Sequence, residues 1–494
     1  MTLPSKLSRP FRAACAAALF SWALPALAAQ APVAQPPTAL AASSAAGHWE
    51  GAIDIPSLTL VVKVDLTAGQ AWSGAIDIPQ QSAKGLPLDK IAVDGDHVRF
   101  SIAGIPGDPT FDGRLDKGEI RGTFTQGPGS YPFHLGREAV KAPRRPQEPQ
   151  PPFPYTEEEV TYQNGDIRLA GTLTLPPGPG PFPAVLLITG SGAQNRDEEL
   201  LGHKPFLIIA DHLARAGIAV LRIDDRGIGG STGTVSDSTT EDFAGDVLAG
   251  VRFLQTRPRI AKDRIGLLGH SEGGLIAPLA ASRSTDVAFI ILLAGPGVPG
   301  SEIIPAQVER IDRAEGLDAE LAHKQAELTR AALALARTEN DRAALRTKLE
   351  KFFAENPDAM DTKAVESIGG VQKFLDLQVL TLSSRWFRFF YDYDPRPALH
   401  KVRVPVLAVN GELDTQVPAE QNLPAIEQAL REGKNPDVTV HRMPGLNHLF
   451  QTAKTGSPTE YATIDETMSP AVLDLVTQWI LERFGKPAKA AGGV

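Results

Sequence analysis

The chain is poor in several of the residues on which enzyme chemistry is often built. It holds one cysteine, four methionines and 6% aromatics in 494 residues. The cysteine, Cys15, lies among the first 28 residues, so everything after them lacks a thiol. A cysteine nucleophile, a disulfide framework and a thiolate metal site are excluded there. The ten histidines are scattered, with no H-E-x-x-H and no paired spacing, so no metal is expected. Gly190-Ser191-Gly192-Ala193 lacks the Gly-Lys-Ser/Thr ending of a phosphate loop, and no cofactor is expected. No apolar run is long enough to span a bilayer. A formal charge of −9 argues against nucleic acid or an anionic membrane as partner. What remains is 42% apolar and 22% charged, a composition suited to packed cores, at a length that suggests more than one domain.

The N-terminus reads as a signal peptide over 1–28. Lys6, Arg9 and Arg12 precede an apolar run from Ala13 to Leu24, and Ala26-Leu27-Ala28 offers a cleavage site. Periplasmic or secreted localisation is expected. Residues 29–46, rich in Ala, Pro and Ser, read as a disordered leader. Over 47–137 short alternating segments are divided by turns such as Asp94-Gly95-Asp96 and Asp116-Lys117-Gly118, which predicts a small antiparallel barrel or sandwich. Within it Trp49-Glu50-Gly51-Ala52-Ile53-Asp54-Ile55-Pro56 recurs as Trp72-Ser73-Gly74-Ala75-Ile76-Asp77-Ile78-Pro79. The plain expectation is two equivalent edge strands, each ended by proline, with tryptophan packed inside; a ligand or partner surface is the alternative. Residues 138–155, crowded with proline, read as a stiff linker.

From 156 to 486 strands and helices alternate. A hairpin over Glu157–Gln163 and Ile167–Leu175 leads into the apolar run Ala184-Val185-Leu186-Leu187-Ile188, as expected of a strand buried on both faces. Later runs at Ile218–Ile223, Ile265–Leu268, Val287–Leu293 and Val404–Val409 repeat the pattern, so the fold class is α/β, with a doubly wound, mostly parallel sheet. The alternation stops over 296–400, where amphipathic stretches predict a helical cap. Its cluster Trp386-Phe387-Arg388-Phe389-Phe390-Tyr391 is either cap core or pocket wall.

The most informative stretch is Gly269-His270-Ser271-Glu272-Gly273-Gly274. An apolar strand enters it and a packed helix leaves it, so the chain must turn sharply and expose the Ser271 hydroxyl at the sheet's end. A side chain at Gly269 or Gly273 would obstruct that crossing. Gly229-Gly230-Ser231-Thr232-Gly233 has the same spacing without that setting and reads as a loop. A serine hydroxyl needs a neutral imidazole to take its proton and an acid to orient the imidazole. Asp414, opening from the strand at Val404–Val409, is the candidate acid, and His448, after the next strand, the candidate base. The N–H groups of Ser191 and Glu272 are the candidate oxyanion donors, with Gly192 a close second to Ser191. Glu412 could replace Asp414. His441, His400 and His270 are weaker as bases, Asp394 reads as a turn residue, and Arg226 as a tie between loops.

Residues 156–486 resemble the α/β-hydrolase superfamily, in particular bacterial esterases and serine-aminopeptidase-like hydrolases. The resemblance rests on Thr189-Gly190-Ser191-Gly192-Ala193-Gln194-Asn195-Arg196-Asp197, Asp225-Arg226-Gly227-Ile228-Gly229, the stretch around Ser271, Gly411-Glu412-Leu413-Asp414 and Gly445-Leu446-Asn447-His448. Thr189 stands where many relatives carry histidine. The resemblance implies an α/β-hydrolase fold with cap and acyl-enzyme hydrolysis of small carboxylic esters by Ser271, Asp414 and His448. A peptidase acting on short peptides shares the machinery, and a non-catalytic envelope protein using its β-domain is the rival from another class.

Overall fold

A computed structural model describes residues 44–55, 58–78, 83–105, 107–127, 129–138, 145–360, 365–366 and 370–485. The signal peptide, Cys15, most of the leader, Pro56, Pro79 and part of the proline-rich linker lie outside the described residues.

Eight strands form a closed antiparallel barrel: β1 (Gly47–Ile55), β2 (Leu58–Thr67), β3 (Ser73–Ile78), β4 (Ala83–Asp94), β5 (His97–Ile102), β6 (Thr110–Asp116), β7 (Glu119–Gln126) and β8 (Gly129–Gly136). Closure comes from β1 pairing with β8, Gly51 opposite Leu135. Eight strands enclose an interior just wide enough for side chains to fill. Phe111 stacks on Phe100 at 4.7 Å and meets Phe133 edge-on at 5.0 Å there. The echoed tryptophan segments are not edge strands, because a closed barrel has no edge. Both flank β2, and register sets Trp49 and Ile76 opposite the same Val64, so the repeat is not an equivalence of position. Trp49 is fully buried, donating its indole N–H to the Ala45 carbonyl at 2.8 Å beneath the Arg137 guanidinium, whereas Trp72 is half-buried.

Residues 145–155 do not span open space as a spacer would. The Arg145 guanidinium donates to the carbonyls of Leu201 and Ala462, and Gln147 bonds the backbone of Thr467 and Met468. Tyr155 donates to Asp211 at 2.8 Å. This segment is docked on the α/β unit through part-buried polar contacts.

The second sheet runs β16-β15-β14-β13-β11-β12-β10-β9. The hairpin of β9 (Thr156–Asn164) and β10 (Ile167–Leu175) is antiparallel to β12 (Ala219–Ile223). The remaining strands, β11 (Phe182–Ile188), β13 (Ile260–His270), β14 (Phe289–Leu293), β15 (Val406–Gly411) and β16 (Val438–Met443), pair in parallel with their neighbours. The two-residue period of a strand divides the core. Ala184, Leu186 and Ile188 pack beneath the helices Thr240–Gln255, Gly273–Ala281 and Ala419–Glu432, while Val185 and Leu187 face Pro205–Arg215 and Pro470–Phe484. Covering both faces is what makes these strands continuously apolar.

The cap is helical, as expected. Its helices Gly300–Ala314, Ala319–Thr338, Arg342–Glu355, Val371–Leu382 and Arg385–Asp392 enclose their own core of Leu333, Leu345, Leu349, Leu375, Phe387 and Phe390, continuous with Leu275 of the sheet domain. No helix among the described residues is long and apolar enough to cross a membrane.

Candidate active site

Strand β13 ends at His270, and the helix Gly273–Ala281 starts three residues on. Ser271 makes the turn with φ of +53°, a left-handed conformation that costs a non-glycine residue about 1 kcal/mol or more. A Cβ at Gly269 would fall 2.0 Å from the Gly273 carbonyl oxygen, and one at Gly273 2.2 Å from that of Ile188. Neither position admits a side chain, for the reason anticipated from sequence. The Ser271 N–H donates to the Leu293 carbonyl at 2.9 Å, anchoring the turn to the neighbouring strand.

Asp414 and His448 come from adjacent strands. Beyond β15 and β16 the two loops are joined by backbone bonds, Glu412 N–H to Met443 at 2.8 Å and Leu413 N–H to Leu446 at 2.9 Å. Asp414 is locked by its own turn: Oδ1 accepts from the N–H groups of Gln416 and Val417, both at 2.8 Å. Its other oxygen, Oδ2, accepts from His448 Nδ1 at 2.9 Å, with the Asp414 side chain fully buried. This bond assigns the proton to Nδ1 and leaves His448 Nε2 as an acceptor. Asn447 shapes the loop, its Oδ1 accepting from the N–H groups of Leu449 and Gln451. The structure thus joins Asp414 to His448 directly. It ties Ser271 to them through its neighbour His270, whose ring lies 4.9 Å from the His448 ring and whose Nε2 meets the His448 carbonyl at 3.1 Å.

The glycine-rich loop after β11 closes on the same turn. A Cβ at Gly190 would lie 3.1 Å from the Ser271 Cβ. The same turn carries the buried Glu272 carboxylate. That carboxylate accepts from Thr240 Oγ1 at 2.7 Å and from the Trp386 indole at 3.0 and 2.9 Å. Burial pushes Glu272 above the usual carboxylate range, with the hydroxyl and indole bonds opposing. Thr189 donates to Asp225 at 2.7 Å, and the Gln194 N–H to the same carboxylate at 2.8 Å. Burial raises Asp225 well above its ordinary value, against those two bonds, and the nearby Glu198 and Glu272 carboxylates raise it further.

The rival residues take structural places. Ser231 Oγ donates to the Asp224 carbonyl and accepts the Ala170 N–H. Arg226 grips Asp246 with two nitrogens and reaches Ser238 and the Asp242 carbonyl. Asp394 caps its own turn through Arg396. Glu412 is largely exposed opposite Arg442, His441 lies within β16, and His400 ends the short helix Arg396–Leu399. Sequence reasoning did not single out Glu198 or Thr240. The charge-rich run Asn195-Arg196-Asp197-Glu198-Glu199 looks like solvated loop, and only folding reveals Glu198 as buried. Among the described residues no group of three or more His, Cys, Asp or Glu is placed to hold a metal ion.

The family model described as the alpha/beta hydrolase fold matches residues 183–454. The chain belongs to the α/β-hydrolase fold family. It is 26% identical over 372 residues to esterase EstD of Thermotoga maritima, covering 75% of this chain and 78% of that protein. It is 31% identical over 126 residues to the uncharacterized peptidase YtmA of Bacillus subtilis, covering 25% of this chain and 44% of that one. A solved esterase of Pyrococcus furiosus superposes with a TM-score of 0.39 at 18% identity, over 71% of this α/β hydrolase and 99% of that chain.

Proposed function

We propose that this α/β hydrolase cleaves small carboxylic esters through Ser271, His448 and Asp414. The observation that carries the reading is the combination of the left-handed Ser271 at the strand–helix turn with the buried Asp414–His448 bond on the adjoining loops. His448 Nε2 takes the Ser271 proton as Oγ attacks the ester carbonyl. The N–H groups of Ser191 and Glu272 receive the oxyanion, each such donor being worth about 3 kcal/mol. The alcohol leaves with the proton from His448, and water repeats the sequence on the acyl-enzyme, releasing the acid. The 26% identity to an esterase over most of both chains supports an ester rather than a peptide as substrate.

The basic and apolar pattern of the first 28 residues supports export to the periplasm or medium. The mature N-terminus of protein recovered from the bacterial envelope, determined by mass spectrometry, checks that part.

The test of the chemistry is a fluorophosphonate probe followed by peptide mapping, together with p-nitrophenyl acyl esters set against aminoacyl nitroanilides. Labelling of Ser271 and turnover of the esters are expected. Faster turnover of the nitroanilides would favour the peptidase. A folded protein that ignores the probe would favour a non-catalytic envelope role.

A further inference from the structure

The mechanism above leaves unused a buried ionisable pair beside the nucleophile. His270 and Glu198 are both almost wholly buried, and each bridges two pieces of the site. Glu198 Oε1 accepts from the Gly190 N–H at 2.7 Å and lies 3.0 Å from His270 Nδ1. His270 Nε2 lies 3.1 Å from the His448 carbonyl oxygen. A carbonyl oxygen only accepts, so Nε2 must carry a proton. The proton between Nδ1 and Glu198 then resides on whichever group holds it more tightly. An imidazole nitrogen is ordinarily a stronger base than a carboxylate oxygen, which places the proton on the ring.

We propose that His270 is a buried imidazolium paired with Glu198, and that the two are positioning residues that hold the oxyanion loop and the His448 loop in register about Ser271. The proposal rests on the triad assignment above. Glu198 fixes Gly190, the residue before the Ser191 donor. His270 precedes the nucleophile and fixes the backbone of the base. A single charged link therefore runs from oxyanion donor to nucleophile to base. Glu198 itself takes φ of +51°, a left-handed strain that this double engagement sustains. Burial opposes the charge on His270, but the Glu198 carboxylate and the His448 carbonyl outweigh it, and the ring is held above its ordinary value. The Asp414 carboxylate also favours the cation. The His448 and Phe450 rings lie 4.9 and 6.4 Å from it, centroid to centroid.

The experiment has one arm that needs no turnover. In ¹⁵N-labelled protein, proton-coupled imidazole spectra assigned with His270→Gln should show both His270 nitrogens protonated at pH 7.5, where an exposed histidine is neutral. A single protonated nitrogen would overturn the charge assignment. In the kinetic arm, His270→Gln and Glu198→Gln should each lower kcat about 10- to 100-fold with KM little changed, since misplacement of reacting groups by an ångström has that cost. Fluorophosphonate labelling should slow in parallel without vanishing. Glu198→Asp, which keeps the charge, should recover less of the loss than a purely electrostatic role requires. Folded variants with undiminished kcat would overturn the positioning role. A wild type that does not react with the probe would instead sink the triad reading and leave the spectroscopic result standing.

Discussion

The Trp386 indole N–H donates to both carboxylate oxygens of Glu272, at 3.0 and 2.9 Å, joining the cap to the residue that follows the nucleophile. Trp386 belongs to the cap helix Arg385–Asp392, where it stacks on Phe390 at 5.4 Å. Glu272 sits at the start of the elbow helix, buried, with the Thr240 hydroxyl as a further partner. Trp386→Phe keeps the stack and removes the N–H. A hydrogen bond to a buried charged group is worth about 1.5–3 kcal/mol, so the variant should lose roughly that much stability in a urea titration. Its ester turnover should fall as well, because Glu272 supplies a proposed oxyanion N–H. Unchanged stability would mean that the cap is not held at this point.

Asp414→Asn keeps the shape of the acid and removes its charge. The amide oxygen can still accept from Gln416 and Val417, but the amide nitrogen then faces His448 Nδ1. The imidazole loses the partner that sets its tautomer. The corresponding change in a serine protease lowers kcat by about 10⁴, and a loss of that order is expected here with KM little altered. A loss under tenfold would hand the role of acid to another carboxylate, with Glu412 the one to replace next.

How much of this was legible before folding differs from residue to residue. Ser271 was legible because a sharp strand-to-helix crossing forces glycine at fixed spacings, and Gly269 and Gly273 meet backbone where a Cβ would stand. Asp414 is legible as a candidate because the buried β15 announces its end by an apolar run, whereas His448 follows β16, a half-buried strand at the end of the sheet without such a run. Barrel closure was not legible: alternation predicts strands, and whether β1 finds β8 depends on register and shear, which no local pattern carries. Nor was the Glu198–His270 pair, since a glutamate in an acidic loop looks the same in sequence whether it meets water or a buried imidazole. The Trp386 contact was half legible. In sequence the aromatic cluster is either cap core or pocket wall. Phe387 and Phe390 are core, while Trp386 reaches across to a carboxylate.

The left-handed φ of Ser271 separates its chemical cost from its structural one. Ser271→Ala should abolish ester turnover and leave stability close to that of the parent, because the methyl group occupies the same backbone conformation. Ser271→Gly should abolish turnover too, yet relax the strained φ, which favours glycine by about 1 kcal/mol. Urea midpoints should place the glycine variant at or above the alanine variant. The reverse order would show that the turn is unstrained in solution.

Acid should destabilise the fold through His203, which lies near the Arg145 guanidinium. This ring is buried, with Nδ1 accepting from the Thr467 hydroxyl at 2.8 Å and Nε2 donating to the Tyr461 carbonyl at 3.0 Å. Burial first, and then the neighbouring Arg145 guanidinium, pull it down to about 4, against the bond to Tyr461 and the Asp465 charge. The folded state therefore stays neutral where the unfolded chain, near 6.5, already binds a proton. The unfolded state holds more protons between those values, so stability is complete above about 6.5 and falls as pH drops towards 4, by up to about 1.4 kcal/mol per unit. His203→Gln cannot bind that proton. The stability difference between parent and variant should be constant above pH 7 and shift in the variant's favour between pH 6 and 4.5. Parallel curves through that window would mean that His203 protonates equally in both states.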